Sequence, residues 1–191
     1  MLLIPLREQR KKGIVTCMNV KFSLKNASAS DIDDIMKIER DAFAPDIQEA
    51  ESVFQRRIEF FPEGFVLFVD TTSGKTAGYL CSERWKSPEL SGNALTVGHD
   101  ILSAHVPDGN TLYISSFALL KEYRGRGYGR ELFSRAVAHI KRRTGILYQV
   151  LLVNEEWNSA RRIYSSCGFS ETGRVPGAFP GTAGVMMRRG R

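Results

Sequence analysis

The chain has 191 residues, of which 42% are hydrophobic and 25% are charged, a balance typical of one globular domain with a full core. No apolar run approaches the ~20 residues of a membrane span, so we expect no membrane partner. The formal net charge of +6 comes from the two ends, because four basic residues and one acidic residue occur among the first 13 and three arginines among the last four. The neutral body between them argues against a nucleic-acid partner.

The cysteines and the N-terminal residues bear on compartment and domain organisation. Cys17, Cys81 and Cys167 are far apart and lack the spacing of metal ligands, which indicates reduced thiols and no metal site. We therefore expect a cytoplasmic protein. Residues 1–17 show no periodicity, so we expect an N-terminal extension over 1–17 and a single domain over 18–191.

The first half of the domain mixes helices and strands. Residues 30–33 have the composition of a capping box, and apolar residues follow at helical spacing. In chain order, the predicted elements are a strand at 20–24, a helix that ends before Pro45, a helix at about 48–60, and hairpin strands at 65–69 and 76–81. Residues 84–110 then form a long connection, with one or two helical turns within 94–104, of the kind that often serves as a lid or binding loop.

The second half is predicted to alternate strands and helices. The elements are a strand at 111–119, a glycine-rich turn, a helix to Arg143, a strand at 146–153, a helix at 158–164, and strands at 169–175 and 184–189 that are separated by a loop at 176–181. The strand at 146–153 lacks polar alternation, which indicates a sheet covered on both faces. This order predicts an α/β domain with a mixed sheet.

The glycine-rich turn runs from Tyr123 to Arg130 and contains Gly125, Gly127 and Gly129. It joins an apolar strand to an amphipathic helix, which is where free backbone N–H groups and the positive end of a helix dipole meet an anion. Glycine leaves the backbone open to a phosphate. The spacing is neither that of a dinucleotide-binding fold nor that of a P-loop. Alone, the turn is also compatible with a flexible loop or an arginine–glycine patch for nucleic acid.

A second motif follows about 30 residues later and contains Asn158, Ala160, Tyr164, Gly168 and Phe169. The two motifs together resemble the GNAT superfamily of N-acetyltransferases, in which the glycine turn holds the pyrophosphate of acyl-CoA. The resemblance implies the GNAT fold, a mixed but mostly antiparallel sheet with splayed central strands flanked by helices. It also implies acetyl-CoA as a co-substrate.

The resemblance assigns site residues to both motifs. The pyrophosphate would be held by the turn, and the pantetheine arm by the strand before it and by two asparagines. These residues are Arg124, Gly125, Arg126, Gly127, Tyr128 and Gly129 for the pyrophosphate, and Phe117, Ala118, Leu119, Asn154 and Asn158 for the arm. Tyr164 would lie near the thioester sulfur, where a phenol with an ordinary pKa near ~10 is protonated and can act as a general acid.

The general base is less evident from the sequence. Tyr113 and Ser115 occupy the strand positions at which family members place catalytic groups, but neither is a good base at neutral pH. A water-relayed deprotonation that involves His99 or His105 of the long loop is an open alternative, and each histidine is equally compatible with a simply exposed side chain. The segments 42–45 and 105–109 also resemble arylalkylamine N-acetyltransferases.

The predicted function is transfer of an acetyl group to a primary amine by direct attack in a ternary complex. Large apolar side chains could line the acceptor pocket and favour an apolar or aromatic amine; these are Phe43, Phe61, Trp85, Trp157 and Phe179. Two alternatives stay open: an acetyltransferase for protein lysines or N-termini, and a non-catalytic domain that senses CoA. The chain is expected to be a monomer or a homodimer.

Overall fold

The computed structural model describes residues 21–89 and 97–190. Its strands and helices follow the predicted order, whereas the boundary expected at residue 18 and residues 94–96 of the expected helical turns lie outside the described residues. The elements are β1 (Phe22–Asn26), α1 (Ile32–Ala42), α2 (Glu51–Phe60), β2 (Phe65–Asp70), β3 (Thr76–Trp85), β4 (Thr111–Leu119), α3 (Tyr128–Thr144), β5 (Tyr148–Asn154), α4 (Asn158–Ser166), β6 (Ser170–Phe179) and β7 (Thr182–Arg189).

Within the described residues the strands form one sheet of order β1-β2-β3-β4-β5-β7-β6. β4 and β5 run parallel, and the other neighbouring strands are antiparallel. The parallel pair is joined through α3, as a crossover connection requires. The predicted mixed, mostly antiparallel sheet is thus confirmed.

The two central strands separate at their carboxyl ends. Pairing of β4 with β5 stops at Ile114 and Leu151, although β4 continues to Leu119 and β5 to Asn154. On its other side β4 stays paired with β3, with a bulge that leaves Ser115 as an extra residue. The splay opens a cleft through the middle of the sheet, as expected.

Helices cover both faces of the sheet. On one face, α3 buries Leu132, Phe133 and Val137 in a core that also contains Val66 and Phe68 of β2. On the other face, α1 and α2 bury Ile35, Ile38 and Phe54 against Phe65 and Leu67 of the same strand. The alternation of β2 residues between two cores explains why this strand is apolar throughout.

Several predicted boundaries are wrong. The capping box is formed by Ser28 and Asp31 rather than at 30–33, because a 3-10 turn at Ala29–Asp31 precedes α1 and the Ser28 N–H donates to the Asp31 carboxylate at 2.9 Å. β3 continues past Cys81 to Trp85, since it pairs with the whole of β4. β6 runs through the expected loop at 176–179 as an irregular edge strand. No helix among the described residues is long and apolar enough to span a bilayer.

Candidate active site

A single groove of about 1220 Å³ crosses the splayed part of the sheet. One end is formed by the glycine turn and the start of α3, and the middle by the separated ends of β4 and β5 with α4. The other end is formed by the end of α1, the segment that follows it, and part of the long loop. The groove therefore brings both sequence motifs into one cavity.

The glycine turn presents open backbone to the groove. Gly125 and Gly127 have φ values of 70° and 83°, and a side chain built at either would meet nothing within 4 Å. Gly127 is the N-cap of α3, so the first N–H groups of that helix lack intrahelical partners. Gly129 has a different role, because a Cβ there would lie 2.7 Å from Ile163 Cδ1. The absence of a side chain at Gly129 allows α3 to pack closely against α4.

The charged and aromatic side chains of the turn are oriented differently from the expectation. Arg124 lines the groove, but its guanidinium donates to the Leu119 carbonyl at 2.7 Å and to Asp41 at 2.5 Å. Arg126 lines a separate hollow on the surface. The Tyr128 ring packs against β1, and its hydroxyl accepts from Lys21 Nζ at 2.8 Å. The Arg126 and Tyr128 side chains thus lie outside the groove.

The strand predicted to bind the pantetheine arm lines the middle of the groove. Phe117, Ala118 and Leu119 of β4 face this cavity where β5 has turned away. Asn158, the first residue of α4, lines the groove as well, whereas the buried Asn154 uses its side-chain oxygen to accept from the Glu156 N–H at 2.9 Å. The Asn154 side chain therefore shapes the turn into α4.

Tyr164 projects from α4 into the groove and is buried. Its ring centroid lies 4.8 Å from that of Phe133, which fixes the ring in place. Within the described residues no group is hydrogen-bonded to its hydroxyl. Burial, with a smaller contribution from Cys167, raises the pKa of Tyr164 above its ordinary value, so the phenol is a proton donor and not a base.

The two strand residues nominated for catalysis are engaged elsewhere. Tyr113 lines the groove but stacks on Trp85 with ring centroids 4.2 Å apart, and burial raises its pKa. The Ser115 hydroxyl donates to the Cys81 carbonyl at 3.2 Å. Both residues thus line the groove while their side chains have partners in the sheet.

The two histidines of the long loop differ in position. His105 is outside the groove, where its ring lies 5.2 Å from that of Phe61, its Nδ1 accepts from the Arg84 N–H at 3.3 Å, and burial lowers its pKa. His99 lines the groove and its Nε2 lies 2.8 Å from Glu83 Oε2. Of the two candidate histidines, His99 therefore lies at the groove and His105 does not.

A buried charge cluster lies behind this end of the groove, and it was not predicted. The guanidinium of Arg57 in α2 donates to the carboxylates of Glu49 and of Glu83 in β3, and the bond to Glu83 Oε1 is 3.0 Å long. The second oxygen of Glu83 accepts a hydrogen bond of 3.0 Å from Trp85 Nε1. Burial alone would raise the pKa of Glu83, but the bond to His99 and the charge of Arg57 lower it. The sequence feature that could have indicated this buried cluster is the presence of charged residues next to apolar ones.

Glu39 of α1 is a second buried acid that lines the groove. It follows Ile35 by one helical turn on the buried face, so its place could have been inferred from that spacing. Its carboxylate accepts from the Tyr79 hydroxyl and, at 2.9 Å, from the Glu49 N–H. Burial raises the pKa of Glu39 to about 7, more than these bonds and Arg57 lower it.

Aromatic side chains form the walls of the same end. The Trp157 ring centroid lies 5.8 Å from that of Phe43 and 5.5 Å from that of Phe179, and all three residues line the groove. Phe61 and Trp85 belong to the core instead, which corrects their assignment to the pocket. No cluster of three or more His, Cys, Asp or Glu side chains that could hold a metal occurs in the described part of the chain.

Comparisons with known proteins agree with this arrangement. Residues 32–169 match the family described as "Acetyltransferase (GNAT) family". The mycothiol acetyltransferase of Thermobifida fusca (strain YX) is 32% identical over 134 residues, which is 66% of this chain but only 37% of that relative's length.

Solved structures share the fold. The loading GNATL domain of CurA from Lyngbya majuscula superposes with a TM-score of 0.75 at 16% identity, covering 88% of this chain and 97% of that one. Arabidopsis thaliana Naa50 in complex with the bisubstrate analogue CoA-Ac-MVNAL gives 0.66 at 15% identity, covering 90% and 100%.

Proposed function

Because this chain belongs to the acetyltransferase (GNAT) family and has the GNAT fold, we propose that it transfers an acetyl group from acetyl-CoA to a primary amine by direct attack in a ternary complex. The observation that carries the proposal is the groove itself. It joins a glycine turn with open backbone, an unpaired strand edge, a protonated phenol and an aromatic end in a single cavity.

The CoA moiety would occupy the half of the groove next to α3. The backbone of Gly125 and Gly127, with the first N–H groups of α3, would hold the pyrophosphate. The edge of β4 at Phe117, Ala118 and Leu119 lacks a strand partner on the β5 side, so the amide groups of the pantetheine arm can pair with it as an added strand does. Asn158 would contact the arm from α4.

Bound acetyl-CoA supplies an activated acyl carbonyl and a thiol leaving group. Tyr164 would give its proton to the sulfur, because it lines the groove and its raised pKa keeps the phenol protonated. The Phe133 contact keeps the ring in one orientation. The chain thus positions both reactants and supplies the proton, and no covalent enzyme intermediate is needed.

The acceptor would occupy the end formed by Phe43, Trp157 and Phe179. Aromatic walls favour an apolar body, and their faces attract a cation. Glu39, Glu49 and Arg57 line the same end, so the polar group of the acceptor would meet two carboxyl groups and the guanidinium that is paired with one of them. A small amine with an aromatic or aliphatic body fits these features, which keeps the resemblance to arylalkylamine N-acetyltransferases as the finer hypothesis.

The test is release of CoA thiol from acetyl-CoA with a panel of aryl amines, polyamines, amino acids and peptides. We expect turnover with a small apolar amine and intersecting lines when both substrates are varied. Parallel lines would contradict the ternary complex. Turnover with peptides alone would favour a protein acetyltransferase, and tight binding of acetyl-CoA without turnover would favour a sensing domain.

A further inference from the structure

A chain of three side chains leads from the groove to a buried carboxylate. The hydroxyl oxygens of Ser116 and Tyr79 lie 3.1 Å apart, and the Tyr79 hydroxyl donates to Glu39 Oε2. The residues come from β4, β3 and α1, so the chain exists only in the folded protein. Each hydroxyl can accept one proton and donate another, which is the property that a proton relay requires.

Ser116 and Glu39 both line the groove, and Ser116 is the one that belongs to β4. Ser116 directly follows the bulge at Ser115. It lies two residues after Ile114, the last residue of β4 that pairs with β5. An acetyl group at the end of a pantetheine arm paired with Phe117–Leu119 would therefore lie beside Ser116. The acceptor amine must reach the same place from the aromatic end of the groove.

The buried end of the chain is suited to accept a proton near neutral pH. Burial raises the pKa of Glu39 to about 7, while the bond from Tyr79, the Glu49 N–H and the Arg57 charge oppose that rise. The Glu49 carboxylate acts in the same direction as burial. A base with a pKa close to the working pH gives the most effective proton transfer.

We propose that Ser116, Tyr79 and Glu39 form a proton wire that deprotonates the acceptor ammonium. An N–H bond of the ammonium breaks and an O–H bond forms at Ser116 Oγ, while the electron pair stays on nitrogen. The Ser116 proton moves to Tyr79, and the Tyr79 proton moves to the Glu39 carboxylate. One proton crosses in each turnover and returns to water after the product leaves. The proposal rests on the proposed function and adds the base that it lacks.

The neighbouring polar groups of the groove have other partners. The Ser115 hydroxyl is committed to the Cys81 carbonyl. The His99 Nε2 is bonded to Glu83. Each oxygen of Glu39 accepts one hydrogen bond, Oε2 from the Tyr79 hydroxyl and Oε1 from the Glu49 N–H, so the Tyr79 hydroxyl is the side-chain group that connects this carboxylate to Ser116.

The kinetic test uses Ser116→Ala, Tyr79→Phe and the double variant with the best acceptor of the panel. We expect each single variant to lose ~10²-fold in turnover with unchanged acetyl-CoA affinity, and the double variant to lose no more, because the groups act in series. Thr76→Val is the matched control, because it also removes a hydrogen bond from a β3 hydroxyl to an α1 carboxylate. This bond, from Thr76 Oγ1 to Asp34 Oδ2 at 2.6 Å, lies outside the groove. The control variant should turn over like the wild type.

A second readout needs neither acetyl-CoA nor acceptor. In the protein with ¹³C-labelled glutamate, we expect one carboxyl resonance, assigned through its loss in Glu39→Gln, to titrate near pH 7. Tyr79→Phe should move that titration to higher pH, because the bond from Tyr79 lowers the pKa of Glu39. Ser116→Ala should leave the pKa of Glu39 unchanged. The same variant should remove the change in turnover that the wild type shows near pH 7.

The outcomes separate this proposal from the proposed function. Wild-type turnover that survives both Ser116→Ala and Tyr79→Phe, with chemistry rate-limiting, would overturn the wire alone. Losses that multiply in the double variant would overturn it too, because the two hydroxyls would then act independently. No turnover by the wild type with any acceptor would overturn the proposed function, and the wire with it.

Discussion

The guanidinium of Arg124 is bonded to the carboxylate of Asp41, 83 residues earlier in the chain, with Nη2 2.5 Å from Oδ2. The same carboxylate oxygen accepts from the Lys121 N–H at 2.7 Å, and Arg124 Nε donates to the Leu119 carbonyl at 2.7 Å. The end of α1, the end of β4 and the glycine turn are thereby held together. We therefore expect Arg124 to support acetyl-CoA binding by fixing the turn.

Removing either partner should therefore weaken acetyl-CoA binding to a similar extent. We expect Arg124→Ala and Asp41→Ala each to lower the affinity about tenfold, which corresponds to ~1.4 kcal/mol, as measured by calorimetry. The double variant should be no weaker than either single variant, since both remove the same link. Asp34→Ala, which removes another exposed carboxylate of α1, is the control. If Arg124 contacts the pyrophosphate itself, Asp41→Ala will leave the affinity unchanged or raise it.

The two ends of α3 provide a matched pair for testing the glycine turn. Gly127 and Gly145 are its N-cap and C-cap, have φ values of 83° and 69°, and face open space. Alanine in this region costs about 1 kcal/mol, so Gly127→Ala and Gly145→Ala should lose similar stability. Only Gly127→Ala should weaken acetyl-CoA binding, and Gly127→Asp should weaken it further. Equal affinities in the two folded alanine variants would show that the turn does not bind the phosphate.

The sequence predicted those features that short patterns determine. The glycine turn, the helix after it and the apolar strand before it each depend on residues within one element, so their order and most of their bounds were recognised. The separation of β4 from β5 was predicted from the resemblance to the GNAT superfamily and not from a local pattern. The end of β3 was missed because only its pairing with β4, far along the chain, extends it to Trp85.

The polar part of the site was harder to predict, because its contacts join distant elements. Arg57 and Glu83 are 26 residues apart, and Tyr79 and Ser116 are 37 apart. A serine or tyrosine in a strand has no local pattern that indicates a partner. The sequence therefore led to Tyr113 and Ser115, at the family's catalytic positions, whereas the structure shows a chain of contacts that begins one residue later.

Loss of Glu83 should be strongly destabilising. Its carboxylate is fully buried and binds Arg57, Trp85 and His99, so Glu83→Ala leaves buried donors unpaired. We expect a loss of about 3–5 kcal/mol in urea unfolding at pH 7. Glu131→Ala, which breaks an exposed pair, should have little effect.

The effect of Glu83→Ala should also depend on pH. Because the folded-state pKa of Glu83 lies below 4.5, its ionised form stabilises the folded state above that pH, and this contribution is lost as the pH falls through the folded-state value. The difference between wild type and variant should narrow in acid. A difference that is constant down to pH 3 would contradict the ionic role.

Glu39 should produce the opposite pH dependence of stability. Burial raises its pKa from the ordinary value of 4.5 to about 7 in the folded protein, so the folded state favours the protonated form. Stability should therefore fall by about 3 kcal/mol as the pH rises from 4.5 to 7, relative to Glu39→Gln, which cannot titrate. Urea unfolding at several pH values measures how the free energy of unfolding changes with pH. A pH-independent change in stability caused by the substitution itself does not alter this slope. Parallel curves for the two proteins would rule out the raised pKa.

The phenol of Tyr164 provides the sharpest test of the proposed chemistry. Tyr164→Phe removes one hydroxyl and keeps the packing on Phe133, so fold and acetyl-CoA affinity should persist while turnover falls by ~10²–10⁴, about 3–5 kcal/mol of barrier. Because burial raises the pKa of Tyr164, the wild-type rate should hold to pH 10 and not fall at the ordinary value for tyrosine. Tyr148→Phe, at the far end of β5, is the matched control. Wild-type turnover in Tyr164→Phe, with chemistry rate-limiting, would mean that the ring only packs and that the proton reaches the sulfur from water.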